Sequence, residues 1–257
     1  MTGADVKRLA RGLFGKQEIP DYNMSFTGDI LPLAEMTEAL LKLPDSVLGL
    51  YAWTADPLEG KFSIAQKYDY IIRAMQCGKE EAMLIRARYG TSDPDELAVL
   101  MGLKISEPRL PVGGGRVVFA QYTEPDEVMI FMDAVDRAEA LIQEENLGPL
   151  LKYTDIRRLL LAHELFHGVE YSKRETIYTK TEKVELWKKP FSNQSGLICL
   201  GEIAGMAFAG ELLEMSCSPY IFDVVLMYGY NKEAAAVLFE EIMELAAAAE
   251  ADGGDEC

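Results

Sequence analysis

The chain contains two histidines, His163 and His167, four residues apart, and a glutamate, Glu164, follows the first directly. Four residues is about one turn of an α-helix, so a helix here brings both imidazoles to one face, where they can grip the same ion. The surrounding pattern agrees. Leu159, Leu160, Ala162 and Phe166 give the segment an apolar side, which predicts a buried helix over 155–171 rather than a loop. Two histidines placed at random would fall four apart in roughly one chain of this length in 130, and the adjacent glutamate makes coincidence rarer still. The segment His163-Glu164-Leu165-Phe166-His167 is therefore read as a metal-binding HExxH turn.

The chemistry of this pattern is specific. Two neutral imidazoles suit zinc, and a catalytic zinc takes a third protein ligand while keeping one position open. Glu164 projects beside the pair, where a carboxylate can take a proton from a water that the ion acidifies. No third histidine exists, so a carboxylate is the natural third ligand. The candidates are Glu170, Glu175, Glu182, Glu185 and Glu202. A straight helix does not readily wrap Glu170 around the same ion as both histidines. Glu175 to Glu185 lie in a polar, lysine-rich connection. Glu202 is the only charge on a stripe otherwise formed by Ile198, Gly205, Met206, Ala209 and Leu213. An unpaired carboxylate there is costly, and either a metal ion or a lysine or arginine partner would offset it.

The rest of the chain reads as mostly helical. Short helical patterns over 6–14 and 33–43 are separated by prolines. Helices are predicted over 63–75 and 79–89, with a break near Cys77-Gly78. Asp93, Pro94 and Glu96 form a start signal with a capping box for a helix that stops at Gly102. A short strand follows at 104–106, then a flexible turn at Gly113-Gly114-Gly115. The β-rich runs 116–122 and 127–132 flank Glu124-Pro125-Asp126 and predict an antiparallel hairpin. An extended substrate could add to its edge. Helices are expected over 133–146, 196–215, 220–228 and 232–249. The expected fold class is α+β, mostly helical with a small antiparallel sheet.

Charge narrows the function. With 25 basic and 42 acidic residues, the net charge is −17. Phosphate backbones and anionic membranes select for lysine and arginine, so direct nucleic-acid binding and membrane association are both disfavoured. The four cysteines, Cys77, Cys199, Cys217 and Cys257, show no metal-ribbon spacing. Reduced thiols and a cytoplasmic location are expected. The basic, apolar stretch 1–16 has no continuous apolar core of the signal-peptide kind, and no apolar run reaches membrane-spanning length.

The segment Arg157-Arg158-Leu159-Leu160-Leu161-Ala162-His163-Glu164-Leu165-Phe166-His167, followed by Glu202, Gly205, Phe208-Ala209 and Leu212-Leu213, resembles the ImmA/IrrE-like zinc metallopeptidases. Upstream, Asp93-Pro94-Asp95-Glu96-Leu97-Ala98 and Met101-Gly102-Leu103-Lys104-Ile105 are also similar, and the likeness covers roughly 80–213. Phe166 stands where that family usually has glycine, and Gly205 and Met206 stand where it has alanine and asparagine. The resemblance implies a zincin-like active-site helix, with zinc on His163, His167 and Glu202 and Glu164 as general base. A metallopeptidase domain is expected over 63–257, preceded by an N-terminal helical extension over 1–62, for which the resemblance offers no counterpart. The resemblance further implies a protein or peptide substrate such as a transcriptional repressor. The alternative is a zinc-binding regulatory or interaction module with little or no catalysis.

Overall fold

The computed structural model describes residues 28–109, 118–187 and 193–253. The expected helix over 6–14, the turn at 113–115 and the first residues of the hairpin lie outside them. The chain is α+β and mostly helical, with a small sheet. In chain order the elements are α1 (Leu33–Leu40), α2 (Asp45–Trp53), a 3-10 turn (Glu59–Lys61), α3 (Ile64–Tyr89), α4 (Pro94–Met101), β1 (Lys104–Ser106), β2 (Ala120–Thr123), β3 (Glu127–Ile130), α5 (Met132–Glu144), α6 (Gly148–Leu151), α7 (Ile156–Ser172), α8 (Tyr178–Thr181), β4 (Val184–Trp187), β5 (Asn193–Ser195), α9 (Cys199–Leu212), α10 (Ile221–Tyr230) and α11 (Lys232–Gly253).

Local chemistry explains the boundaries of α3 and α4. Ser63 and Gln66 form a reciprocal capping box at the start of α3. Gly90, at φ +74°, ends that helix in the left-handed region, which favours glycine. Asp93 caps α4 by accepting from the Asp95 and Glu96 amides, each at 3.0 Å, and Pro94 occupies the first turn. The expected reciprocal arm from Glu96 is replaced, because the Asp93 amide donates to Thr91 Oγ1 at 3.1 Å. Gly102 then ends α4, also at φ +74°.

The predicted break at Cys77-Gly78 does not occur. The helix α3 runs unbroken for 26 residues. Gly78 serves close packing instead. A Cβ at that position would stand 2.9 Å from the Ala204 carbonyl carbon and 3.0 Å from the Phe208 amide nitrogen, so the missing side chain lets α3 lie directly on the α9 backbone. Two elements within stretches read as irregular are also ordered: α2, buried through Leu48, Tyr51 and Trp53, and the β4–β5 hairpin.

The three-stranded sheet has the order β1-β3-β2. The expected hairpin pairs antiparallel, with Tyr122 opposite Val128, and β1 joins β3 in parallel, with Ile105 opposite Val128. This leaves β2 on an edge, with α7 packed along it. The second face of α7 meets α9, where Phe166 and Phe208 pack with ring centroids 5.7 Å apart. Phe166 thus fills the α7–α9 interface. One hydrophobic cluster runs from Leu33 and Trp53 through α7 and α9 to Phe239 and Ile242, so α1 and α2 share the core of the remaining helices. No helix among the described residues is long and apolar enough to cross a membrane.

Candidate metal centre

Helix α7 starts at Asp155, whose Oδ1 accepts from the Arg158 amide at 3.0 Å. From Leu159 to Phe166 every residue is buried, His163 and Glu164 included. Holding two polar side chains in such a helix is expensive unless each has a partner. The partner of His163 comes from across the interface with α9, and that of Glu164 is the Tyr122 backbone N–H of β2.

The Nε2 atoms of His163 and His167 lie 3.1 Å apart. Glu202, in the first turn of α9, places Oε2 3.4 Å from His163 Nε2 and Oε1 3.8 Å from His167 Nε2. Ligand atoms about 2.0–2.1 Å from a tetrahedral zinc stand about 3.3 Å from one another. The separation of the two nitrogens matches that spacing and each has a different Glu202 oxygen nearby, so the three side chains are disposed to hold a single zinc ion. Among the described residues they converge as a three-ligand group within 4.8 Å. The other candidates are placed elsewhere. Glu182 faces Arg73 at 3.7 Å, Glu175 faces Arg174 at 3.7 Å, and Glu185 is exposed on β4.

Glu170 takes a different position from the one weighed in the sequence. Its Oε2 lies 3.5 Å from Nδ1 of His167, on the far side of the ring from the ligand cluster. Thr179 Oγ1 donates to Glu170 Oε1 at 2.6 Å, and Lys180 Nζ lies 2.8 Å from Oε2. A carboxylate behind a ligand histidine fixes the ring's orientation and tautomer, leaving Nε2 to face the ion. The signal for it in the sequence is its spacing of three from His167. Thr179 and Lys180 carry no comparable signal.

Two glycines let α9 come close enough. A Cβ at Gly205 would meet His163 Cε1 at 2.8 Å, and one at Gly201 would meet Glu170 Oε1 at 2.9 Å. The position of Glu202 is set from still further away. Helix α9 has no capping side chain of its own. Buried Asp56 supplies one across the fold, accepting from the Cys199 amide at 3.2 Å and from the Leu58 amide at 2.9 Å.

The electrostatics suit a cation. Burial pushes His163 below its ordinary value. Burial also opposes the charged form of His167, but the hydrogen bond with Glu170 and the charges of Glu202 and Glu164 outweigh it and raise His167 to about 9. Glu170 is held down at about 2, because His167 and Lys180 overcome the penalty of burying it. Burial lifts Glu164 to about 7, against the opposing influence of His167 and the Tyr122 backbone N–H. Three carboxylates thus surround two imidazoles. A dication at the Nε2 atoms would replace the His167 proton, since ligand histidines are neutral.

A cleft of about 230 Å³ opens in front of the cluster, between α7 and β2, reaching Glu164, His167, Glu202, Tyr122 and Tyr171. The Phe131 amide donates to the Phe119 carbonyl. Antiparallel alternation from that pair turns the backbone groups of Ala120 and Tyr122 away from β3, toward this cleft. The Tyr122 hydroxyl donates to the Pro125 carbonyl, whereas Tyr178 lies against Arg73. Of these three tyrosines, Tyr171 is the one on the cleft whose hydroxyl is not bonded to Pro125.

The chain matches no protein-family model, no curated protein and no solved structure in the comparisons made with each.

Proposed function

We propose that the chain is a zinc-dependent metallopeptidase acting on a protein or peptide substrate. The observation that carries this reading is the convergence of His163, His167 and Glu202 beside a buried Glu164, on the wall of a cleft bordered by β2, an edge strand among the described residues. His163 and His167 hold zinc through Nε2 and Glu202 holds it through a carboxylate oxygen, as the resemblance to ImmA/IrrE-like metallopeptidases implies. A zinc ion there supplies a Lewis acid for the scissile carbonyl and brings the pKa of a water toward neutrality.

The chain's own residues supply the remainder. Glu164, buried beside the two histidines on the cleft wall, is placed to take a proton from the attacking water and to return it to the departing amine. Glu170, clamped by Thr179 and Lys180, keeps the His167 ring oriented. The outward backbone groups of Ala120 and the Tyr122 carbonyl offer an extended substrate a strand to pair with, the Tyr122 N–H being directed to Glu164, and this lays the substrate's peptide bonds along α7. Tyr171 places a phenol on the cleft, where it can donate to the oxygen that gains charge.

The test is Glu164→Gln in the zinc-loaded protein. The variant is expected to keep its zinc and its fold while hydrolysis of a random-sequence peptide library falls by about 10²–10⁴. Zinc bound by the wild type without hydrolysis of any library peptide would favour the non-catalytic zinc module instead.

A further inference from the structure

A second concavity, of about 560 Å³, lies beyond the cleft at the C-terminal end of α7. One side of it is apolar, formed by Leu84 and Tyr89 from α3, Met101 at the end of α4, Leu103 and Val169 from α7, while Glu81, Arg88, Asp126 and Lys173 line the remainder. Leu84 is 55 % exposed, and Tyr89, Met101 and Leu103 are half-buried around it. Single exposed leucines are ordinary, but a contiguous apolar wall usually has an occupant. Gly168 deepens this wall, since its bare Cα allows Met101 and Leu103 to close onto α7.

The groove is continuous with the cleft. Tyr171 lines both, and a single turn supplies Glu124 to the cleft and Pro125 and Asp126 to the groove. Strand β2 therefore runs past Glu164 and His167 and leads into the groove. Tyr171 follows His167 by four residues, about 6 Å along the helix. An extended chain covers that distance in about two residues.

We propose that this groove is a selecting subsite for the substrate. It takes a large apolar side chain about two to four residues from the bond that is cut. That side chain belongs to the same peptide whose backbone pairs with β2. The proposal rests on the peptidase reading of the adjoining site. An extended peptide is the occupant that suits a groove adjoining β2, an edge strand among the described residues, because main-chain pairing supplies affinity and a side pocket supplies selectivity.

The experiment uses full-length, zinc-loaded Glu164→Gln to capture peptides from a random-sequence library, alongside the same protein carrying Leu84→Glu. Leu84 is exposed, so its substitution leaves the core untouched. The expected result is enrichment of Leu, Ile, Met or Phe at one fixed position by about tenfold or more, lost in the Leu84→Glu protein. Equal enrichment in both proteins, or no captured peptide, would overturn the proposal. The captured peptides are then offered to the zinc-loaded wild type. Capture with the apolar preference but no cutting would leave the groove assignment standing and remove the peptidase reading. Cutting without the preference would do the reverse.

Discussion

Gly78 sits in the middle of α3, where helix propensity alone favours alanine by about 1 kcal/mol. Packing predicts the opposite sign for Gly78→Ala. The new Cβ would press into the Ala204 carbonyl oxygen, 2.9 Å from its carbon and 3.0 Å from the Phe208 nitrogen. Unstrained carbon contacts lie near about 3.5 Å. The obstacle is the α9 backbone rather than the end of a side chain that can swing aside, so α3 and α9 must part by about an ångström. Overpacking a close interface costs about 1–3 kcal/mol, and a clash with fixed backbone belongs in the upper half of that range, so after the propensity gain a net loss of roughly 1–2 kcal/mol remains. Ala204 follows Glu202 by two residues, so the same displacement moves the third ligand and should weaken zinc binding. Urea denaturation followed by circular dichroism, with exposed Gln76→Ala as a control in the same helix, measures the first effect. Gly78→Ala with stability equal to or above the wild type would refute the steric argument.

Two further substitutions probe how the site is held and how the fold responds to acid. Asp56→Ala removes the acceptor of two backbone amides, one of them at the start of α9. It should cost about 1–3 kcal/mol and weaken zinc binding about tenfold, with Asp56→Asn in between. Chelator competition is the readout, and unchanged affinity would remove Asp56 as a positioning residue. Arg157 grips Asp95 through both guanidinium nitrogens, at 2.7 and 2.9 Å, and this hydrogen bonding holds the Asp95 carboxyl below the ordinary aspartate value. The resulting stability is present above about pH 4 and is lost as pH falls through the lowered folded value. Asp95 is 46 % exposed, so solvent screening limits the contribution to about 1 kcal/mol. Arg157→Ala should cost that amount at neutral pH, and its gap from the wild type should narrow below about pH 4. A gap independent of pH would contradict the assignment.

What the sequence reveals and what it hides divide along a physical line. His163, Glu164 and His167 are legible because their relation is one helical turn, set by local geometry alone. Asp93, Pro94 and Gly102 are legible for the same reason, since caps act within a few residues. Glu202 is legible as the lone charge on its stripe, although its nearness to two histidines on another helix depends on tertiary packing. Gly78 misleads because a helix-breaking residue and a close-packing residue look alike until the partner backbone is known. The ordering of Glu170 by Thr179 and Lys180, and of α9 by Asp56, depends on contacts across turns and between distant segments. No periodicity announces them. The β4–β5 hairpin is signalled only by the short alternation Val184-Glu185-Leu186 within an otherwise polar stretch.

The central claim is that His163, His167 and Glu202 hold one zinc ion. Zinc content of the purified wild type, measured beside His163→Ala and Glu202→Ala, tests it most directly. The account predicts one zinc per chain in the wild type and a sharp loss in both variants. Zinc fully retained in Glu202→Ala, or none taken up by the wild type after zinc is added back, would contradict it.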